Sequence, residues 1–241
     1  MAFQPPAASK RQLDGVPFDL AVDFAPAARQ KFAAKDAQAG NRDPSKCKAL
    51  LKFPNNDAGP GAVFWSSKMA IDADGPSAGP GRPDGEGLDP GSGQSDTSLQ
   101  FADGKGGLPS ELVPYIVLPQ LKPRSKQTFD PAVAIGDMAI VIFKDRASAA
   151  VCGDLGPFNK IGEASIRVHE DLQQQGCPDP CSKRNAKGFC QKVLNASVEQ
   201  DVLFFVFPDS AFDESELNLE TINTEVKERA FGLYNKLRGA S

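Results

Sequence analysis

Two carboxylates in residues 150–168, AVCGDLGPFNKIGEASIRV, have the types and spacing needed for acid–base chemistry. Asp154 ends one apolar stretch and Glu163 begins the next, and each follows a glycine that leaves room for a ligand to approach the backbone. Small and apolar neighbours would raise the pKa of Glu163 by desolvation, which favours a general acid. Asp154 adjoins a Gly-Pro turn, where water and backbone N–H groups favour its ionised form and therefore a general base.

A pair of carboxylates in different environments is what acid–base hydrolysis of glycosides uses. Strands predicted at 147–153 and 161–168 are joined by the short linker LGPFNK, so we expect an antiparallel hairpin. Diagonal neighbours in such a pair stand roughly 7–8 Å apart, within the roughly 6.5–9.5 Å span of inverting enzymes. The alternation of a strand predicts a cleft-facing set and a core-facing set, which are Glu163, Ser165 and Arg167, and Ala164, Ile166 and Val168, respectively. The alternative is that both acids are only solvent-exposed polar groups on a hairpin, with no catalytic role.

An acidic segment follows the strand, or strand pair, predicted at 61–72. Residues 72–103 contain seven acidic residues, counting Asp72 and Asp103 themselves, and only Arg82 opposes them. Such a surface would attract a polycationic ligand, with Asp72 and Asp74 as the first candidates for contact. A calcium loop is one alternative, but Gly75 stands fourth from Asp72 where the EF-hand pattern needs it sixth. A solvated loop is the other alternative.

The motifs GDLGP and GEASI resemble the catalytic segment of the family 75 glycoside hydrolases, the chitosanases known from fungi and some bacteria. The flanking segments FWSSKMAIDADG, PYIVLP and FFVFPDS are similar to that family in the same order, so the resemblance covers roughly residues 60–212. It implies an inverting endo-acting enzyme that uses no cofactor or metal, acts on polycationic chitosan, and has Asp154 and Glu163 as its catalytic pair. Substrate-binding candidates in the flanking segments are Asp72, Asp74, Lys68 and Tyr115.

The fold class predicted from the pattern is mainly β, an α+β arrangement with a central antiparallel sheet or barrel and peripheral helices at both termini. The chain has 22 Gly and 20 Pro among 241 residues, which is typical of short elements joined by many turns. Further apolar runs predict strands at 114–118, 133–143 and 201–207. Helices are predicted at 26–38 and in the tail from Ser215, where apolar residues recur at helical spacing.

The predicted organisation is one domain with extensions. Residues 1–45 form a partly helical N-terminal extension, 46–213 a β-rich catalytic domain, and 214–241 a C-terminal helix packed on that domain. A Cys-rich insertion at 170–191 has no assigned counterpart in the family and could reshape the cleft.

The five cysteines are an odd number, so at least one stays unpaired within the chain. A zinc site is one interpretation of a nearby set that does not have a standard zinc spacing: His169, Cys177, Cys181 and Cys190. One disulfide within the insertion, with a further cysteine elsewhere, is the interpretation we favour.

Charge and hydropathy limit the partners to the polysaccharide. The net charge of -4 gives no nucleic-acid footprint, and the apolar run at 202–207 is too short to span a bilayer. We expect a monomer, secreted or extracytoplasmic, although residues 1–12 lack the apolar core of a signal peptide. The rival functions are hydrolysis of another amino-sugar polymer, chitin or peptidoglycan, and a non-catalytic carbohydrate-binding β module. Trp65 is the only Trp and Tyr115 one of two Tyr, which favours recognition by charge over ring stacking.

Overall fold

The computed structural model describes residues 60–76, 88, 92–102, 104, 106–158, 160–194, 197–213 and 217–237, and the backbone of three short strands before them. The predicted helix at 26–38 lies outside the described residues. The elements are β1 (Gln12–Leu13), β2 (Val16–Pro17), β3 (Lys48–Phe53), β4 (Ala62–Asp72), β5 (Tyr115–Pro119), β6 (Met138–Phe143), β7 (Arg146–Gly156), β8 (Glu163–Ser165), α1 (Ile166–Asp171), β9 (Cys181–Arg184), β10 (Cys190–Val193), β11 (Val198–Phe207) and α2 (Ile222–Leu237).

Six strands close into a ring. Strand β4 pairs with β11, β11 with β6, β6 with β7, β7 with β5, β5 with β8, and β8 returns to β4. The β5–β7 and β4–β8 pairs are parallel and the other pairs of the ring are antiparallel. Closure leaves no long free edge among these strands, and β3 adds to β4 outside the ring. The predicted mainly β fold is therefore confirmed, in its barrel form.

The strands of the ring are largely apolar on both faces because both faces are covered. Helix α2 packs on one face through residues at helical spacing, among them Val226, Ala230 and Tyr234. The other face forms a second cluster in which the ring of Trp65 stacks on Phe204 with centroids 5.1 Å apart. Double coverage explains why β6 reads as a continuous apolar run and not as an alternating one.

The predicted hairpin between 147–153 and 161–168 is wrong. Strand β5 lies between β7 and β8, parallel to the first and antiparallel to the second. The connection at 157–162 therefore passes across a strand position instead of making a tight turn. Hairpin-sized spacing in the sequence does not exclude this path, because pairing order is decided by contacts with distant parts of the chain.

The single strand predicted at 161–168 is also wrong. Strand β8 has three residues, and helix α1 begins at Ile166. The side chain of Ser165 caps this helix by accepting a hydrogen bond from the backbone N–H of Val168 at 3.4 Å. A Ser hydroxyl at this position satisfies an N–H group that has no partner within the helix. The predicted cleft-facing set is therefore wrong at two of its three positions: Ser165 is fully buried and hydrogen-bonded to the backbone of β5 and the residues before it, and Arg167 belongs to the helix.

The disulfide predicted within the insertion is confirmed. Cys181 and Cys190 join β9 to β10, with their Cα atoms 5.6 Å apart. Because two of its four proposed ligands are bonded to each other, the zinc site is wrong. Cys152 and Cys177 are buried free thiols. Among the described residues, no helix has the length and apolar character needed to cross a membrane.

Candidate active site

A bulge in β7 aligns the two predicted catalytic carboxylates across three strands. The β5–β7 register shifts at Gly153, so Val117 pairs with Asp154 on one side and with Glu163 of β8 on the other. Residues paired in register point to the same face of a sheet. Neighbouring strands lie about 4.7–4.9 Å apart, so the Cα atoms of the two acidic residues are separated by roughly 9–10 Å.

The glycines that precede the two acids give space to the protein itself and not to a ligand. A Cβ on Gly153 would stand 2.6 Å from Cβ of Tyr115. Gly162 has a φ of 76°, and a Cβ there would lie 2.1 Å from the carbonyl oxygen of Lys68. Its own carbonyl accepts a hydrogen bond from the N–H of Ala70 at 2.8 Å, which fixes the start of β8 against β4. Both glycines therefore position the acids by close backbone packing.

The carboxylate of Asp154 is oriented through one of its oxygens. Its Oδ1 accepts hydrogen bonds from Ser98 N at 2.9 Å, Ser98 Oγ at 2.7 Å and Leu155 N at 2.8 Å. This triple contact fixes the plane of the carboxylate. None of these three contacts involves Oδ2.

Glu163 is 4% exposed and forms a contact with the cationic side chain of Lys160. Burial raises the pKa of its carboxyl above the usual value, an effect opposed by the charges of Lys160 and Lys68 and reinforced by that of Asp74. Lys160 Nζ forms an ion pair with Oε1 of Glu163. The raised pKa agrees with the desolvation expected from the sequence and suits a group that must hold a proton before reaction.

Two further carboxylates extend from the end of β4. Asp72 pairs with Ser165 of β8 and is buried, and its Oδ1 accepts a hydrogen bond from the N–H of Asp74 at 3.1 Å. The carboxylate of Asp74 accepts hydrogen bonds from the N and Nε2 of Gln94 at 2.7 and 3.1 Å. Burial raises the pKa of Asp72 well above its usual value, and the charges of Asp74 and Glu163 raise it further.

All four carboxylates lie in one open cleft of about 720 Å³. Its lining includes Asp72, Asp74, Asp154 and Glu163, together with Gln94, Gln120, Arg124, Phe158 and Lys160. Oxygens of Asp72, Asp74 and Asp154 lie within 4.8 Å of one another, close enough to surround one cation. A metal ion is one such cation, and an ammonium group is another.

The two other substrate-binding candidates, Tyr115 and Lys68, lie beneath the cleft and not in its lining. Tyr115 is fully buried, and its hydroxyl donates a hydrogen bond to the carbonyl of Asp74 at 3.0 Å. Lys68 is buried on β4, where its charge lowers the pKa of Glu163. Both are placed to support groups that line the cleft.

Sequence reasoning missed two residues that contact the catalytic candidates. Ser98 reaches Asp154 across 56 positions of sequence, and no local pattern signals such a contact. Lys160 stands three residues before Glu163, so closeness in sequence was the one indication that the two side chains could pair. The lone histidine is not part of the site. His169 is buried, its Nε2 lies 3.2 Å from the carbonyl of Ala70, and burial lowers its pKa to about 4.

Asp72→Asn should stabilise the protein at neutral pH. A carboxyl whose pKa is raised on folding makes the folded state less stable wherever it is ionised. The gain should be full above the raised pKa of the folded state and vanish as the pH falls below the usual value of 3.8. A gain of about 1 kcal/mol would raise the melting temperature by roughly 2–4 °C in a domain of this size. Melting curves of both proteins at several pH values measure this, and a less stable variant at neutral pH would contradict it.

The barrel carries a polar cleft with a buried carboxyl of raised pKa and a second carboxylate held by hydrogen bonds, an arrangement compatible with acid–base hydrolysis. The family profile described as fungal chitosanase of glycosyl hydrolase group 75 matches residues 69–228, about two thirds of the chain. The chain belongs to this family. It is a glycoside hydrolase with chitosanase activity, as the resemblance implied. No significant match is found among curated proteins.

Proposed function

We propose that the protein is an inverting, endo-acting chitosanase that cleaves β-1,4 linkages between glucosamine units, with Glu163 as general acid and Asp154 as general base. The observation that carries this proposal is the row Asp154–Val117–Glu163, in which two acids on one face are separated by a whole strand. A separation of roughly 6.5–9.5 Å between carboxyl groups leaves room for a water molecule, whereas retaining enzymes hold theirs roughly 5–5.5 Å apart.

In the proposed reaction, Glu163 gives its proton to the glycosidic oxygen as the bond from that oxygen to the anomeric carbon breaks. A water molecule attacks the anomeric carbon from the opposite face, and Oδ2 of Asp154 takes its proton. One water is consumed, and the products are an alcohol and a hemiacetal of inverted configuration. Both carboxyls then return to their starting protonation by exchange with solvent.

The acidic cluster supports glucosamine as the substrate unit. The oxygens of Asp72, Asp74 and Asp154 are close enough to surround an ammonium group of chitosan, and charge attraction would concentrate the polymer at the cleft. Stacking of sugar rings on aromatic side chains contributes little. Trp65 and Tyr115 are fully buried, which leaves Phe158 as the single aromatic residue in the described lining of the cleft. An open cleft suits attack within a chain.

Two alternative functions are less well supported. Neutral acetamido groups of chitin or peptidoglycan would gain little from a cluster of carboxylates. A non-catalytic binding module would use exposed rings and would have no need for a buried acid with a raised pKa. We further propose that the protein is a secreted or extracytoplasmic monomer, and the Cys181–Cys190 disulfide supports an oxidising compartment.

The anomeric form of the first product tests this function. Soluble chitosan is mixed with the enzyme, and proton NMR follows the anomeric signals before mutarotation equilibrates them. We expect the α anomer first, from a β-linked substrate, together with a mixture of oligomers and an early fall in viscosity. Chitin oligomers and peptidoglycan, in parallel, should release far less reducing sugar. Early β anomer would show retention and contradict the proposed geometry.

A further inference from the structure

Lys160 is a cation inside a cleft that is otherwise rich in carboxylates. It lies in the connection between β7 and β8, lines the cleft, and pairs with Oε1 of Glu163, its side chain 33% exposed and that of Glu163 5% exposed. Burial raises the pKa of Asp74, and the charge of Lys160 opposes that rise. An enzyme that attracts a polycation gains nothing in substrate binding from a lysine at this position, so its placement calls for another role.

The contact leaves the two oxygens of Glu163 in different surroundings. Oε1 is held by Lys160, whereas Oε2 is turned towards Gly156, where a Cβ would lie 3.4 Å away. The same Cβ would lie 2.7 Å from Cγ1 of Val117, so the absence of a side chain at Gly156 keeps this part of the cleft open. An oxygen in contact with an ammonium group is a poor place for a proton, because the cation attracts the negative charge to that oxygen.

We propose that Lys160 is a positioning residue for the hydrolysis, one that holds Oε1 of Glu163 and thereby assigns the transferable proton to Oε2. This inference rests on the proposed function, in which Glu163 is the general acid. Lys160 touches neither reacting bond in this scheme, because it acts through the carboxyl that it orients. The same ion pair sets the pH at which Glu163 loses its proton.

The charges around Glu163 come from several elements. Lys160 approaches from the connection before β8, Lys68 from β4, Asp72 and Asp74 from the end of β4, and Asp154 from β7 across the cleft. Both lysines lower the pKa of Glu163 while burial and Asp74 raise it. Removing Lys160 would therefore raise the pKa of Glu163 further and keep the general acid protonated to higher pH.

The test compares Lys160→Met, which keeps an unbranched side chain one atom shorter and removes its charge, with Lys160→Arg, which keeps the charge. The measurement is kcat and KM on soluble chitosan across pH. The substrate amines titrate equally in every reaction, so only differences between variants are interpreted. Lys183→Met, on the exposed face of β9, is the matched control and should reproduce the parent profile.

We expect Lys160→Met to move the basic limb of the kcat/KM profile to higher pH and to lower kcat about tenfold through loss of orientation. KM should fall, because one cation fewer repels the polymer, and Lys160→Arg should keep the parent limb. Melting curves check folding, and Lys160→Gln replaces the Met variant should that one fail to fold.

A basic limb that coincides with the parent's in Lys160→Met, or that moves equally in Lys160→Arg, would overturn the inference. A shift of the acidic limb instead would give Glu163 the role of base and overturn the proton assignment. The activity of Glu163→Gln, measured alongside, distinguishes a failure of the proposed function from a failure of the role assigned to Lys160. Substantial turnover by that variant would contradict the proposed function itself, whereas an inactive Glu163→Gln with an unshifted Lys160→Met contradicts the role of Lys160 alone.

Discussion

Glu163→Gln is expected to lower kcat on soluble chitosan by a factor of about 10²–10⁴, the usual contribution of a general acid. The amide has nearly the shape of the carboxyl but no proton to give to the departing oxygen. The fold should survive, because burial already disfavours the ionised form of Glu163 and a neutral side chain avoids that cost. Lys160 is partly exposed and can be solvated when its partner is removed.

The leaving group distinguishes a general acid from other roles. A glycoside whose leaving group is an acidic phenol needs little protonation, so Glu163→Gln should lose much less activity on it than on chitosan. The matched control is Glu170→Gln on α1, whose carboxylate pairs with Arg184 outside the cleft lining and whose loss should leave turnover near that of the parent. Turnover by Glu163→Gln within tenfold of the parent on chitosan would contradict the assignment.

The local parts of the fold could be predicted from the sequence because their signals are local. The apolar runs of β6 and β11 and the helical spacing from Ile222 to Leu237 each reflect burial against a neighbour, whichever neighbour it is. A disulfide within the insertion was predictable because three cysteines lie close together there, whereas the pairing of Cys181 with Cys190 was not.

The pairing order of the barrel could not be predicted in this way. The insertion of β5 between β7 and β8 depends on contacts over long sequence separations, which no periodicity reports. The bulge at Gly153 is invisible for the same reason, although it is what brings Asp154 level with Val117. The end of β8 did carry a signal, since Ser165 is a favoured helix cap, but the continuing apolar alternation favoured a strand.

The shared cleft was predicted correctly from a wrong strand arrangement. The expectation that Asp154, Glu163, Asp72 and Asp74 face one cleft agrees with the structure, although the hairpin that led to it does not exist. The residue types and the two-residue alternation along each strand were enough to place these groups on one face. The distance between the two catalytic candidates depended on the intervening strand, and so did the contacts of Ser98. Their catalytic roles stay a prediction.

Asp154→Asn should also lower kcat on chitosan by about 10²–10⁴. The Asn side chain can keep its oxygen in the place of Oδ1 and accept the same three hydrogen bonds from Ser98 and Leu155. Its NH₂ group then replaces Oδ2, the oxygen proposed to take the proton of the attacking water, and cannot accept that proton. The structure should therefore persist while activation of water is lost.

Two comparisons test whether Asp154 acts as the base. An activated phenol leaving group should not rescue Asp154→Asn, because water must still be deprotonated, and this contrast with Glu163→Gln assigns base and acid independently. Ser98→Ala removes one of the three hydrogen bonds to Oδ1 but leaves the carboxylate, so it should cost about 1 kcal/mol, or roughly fivefold in kcat. Rescue of Asp154→Asn by the activated substrate would exchange the two roles. A loss in Ser98→Ala as large as in Asp154→Asn would mean that orientation, and not proton transfer, is what Asp154 supplies.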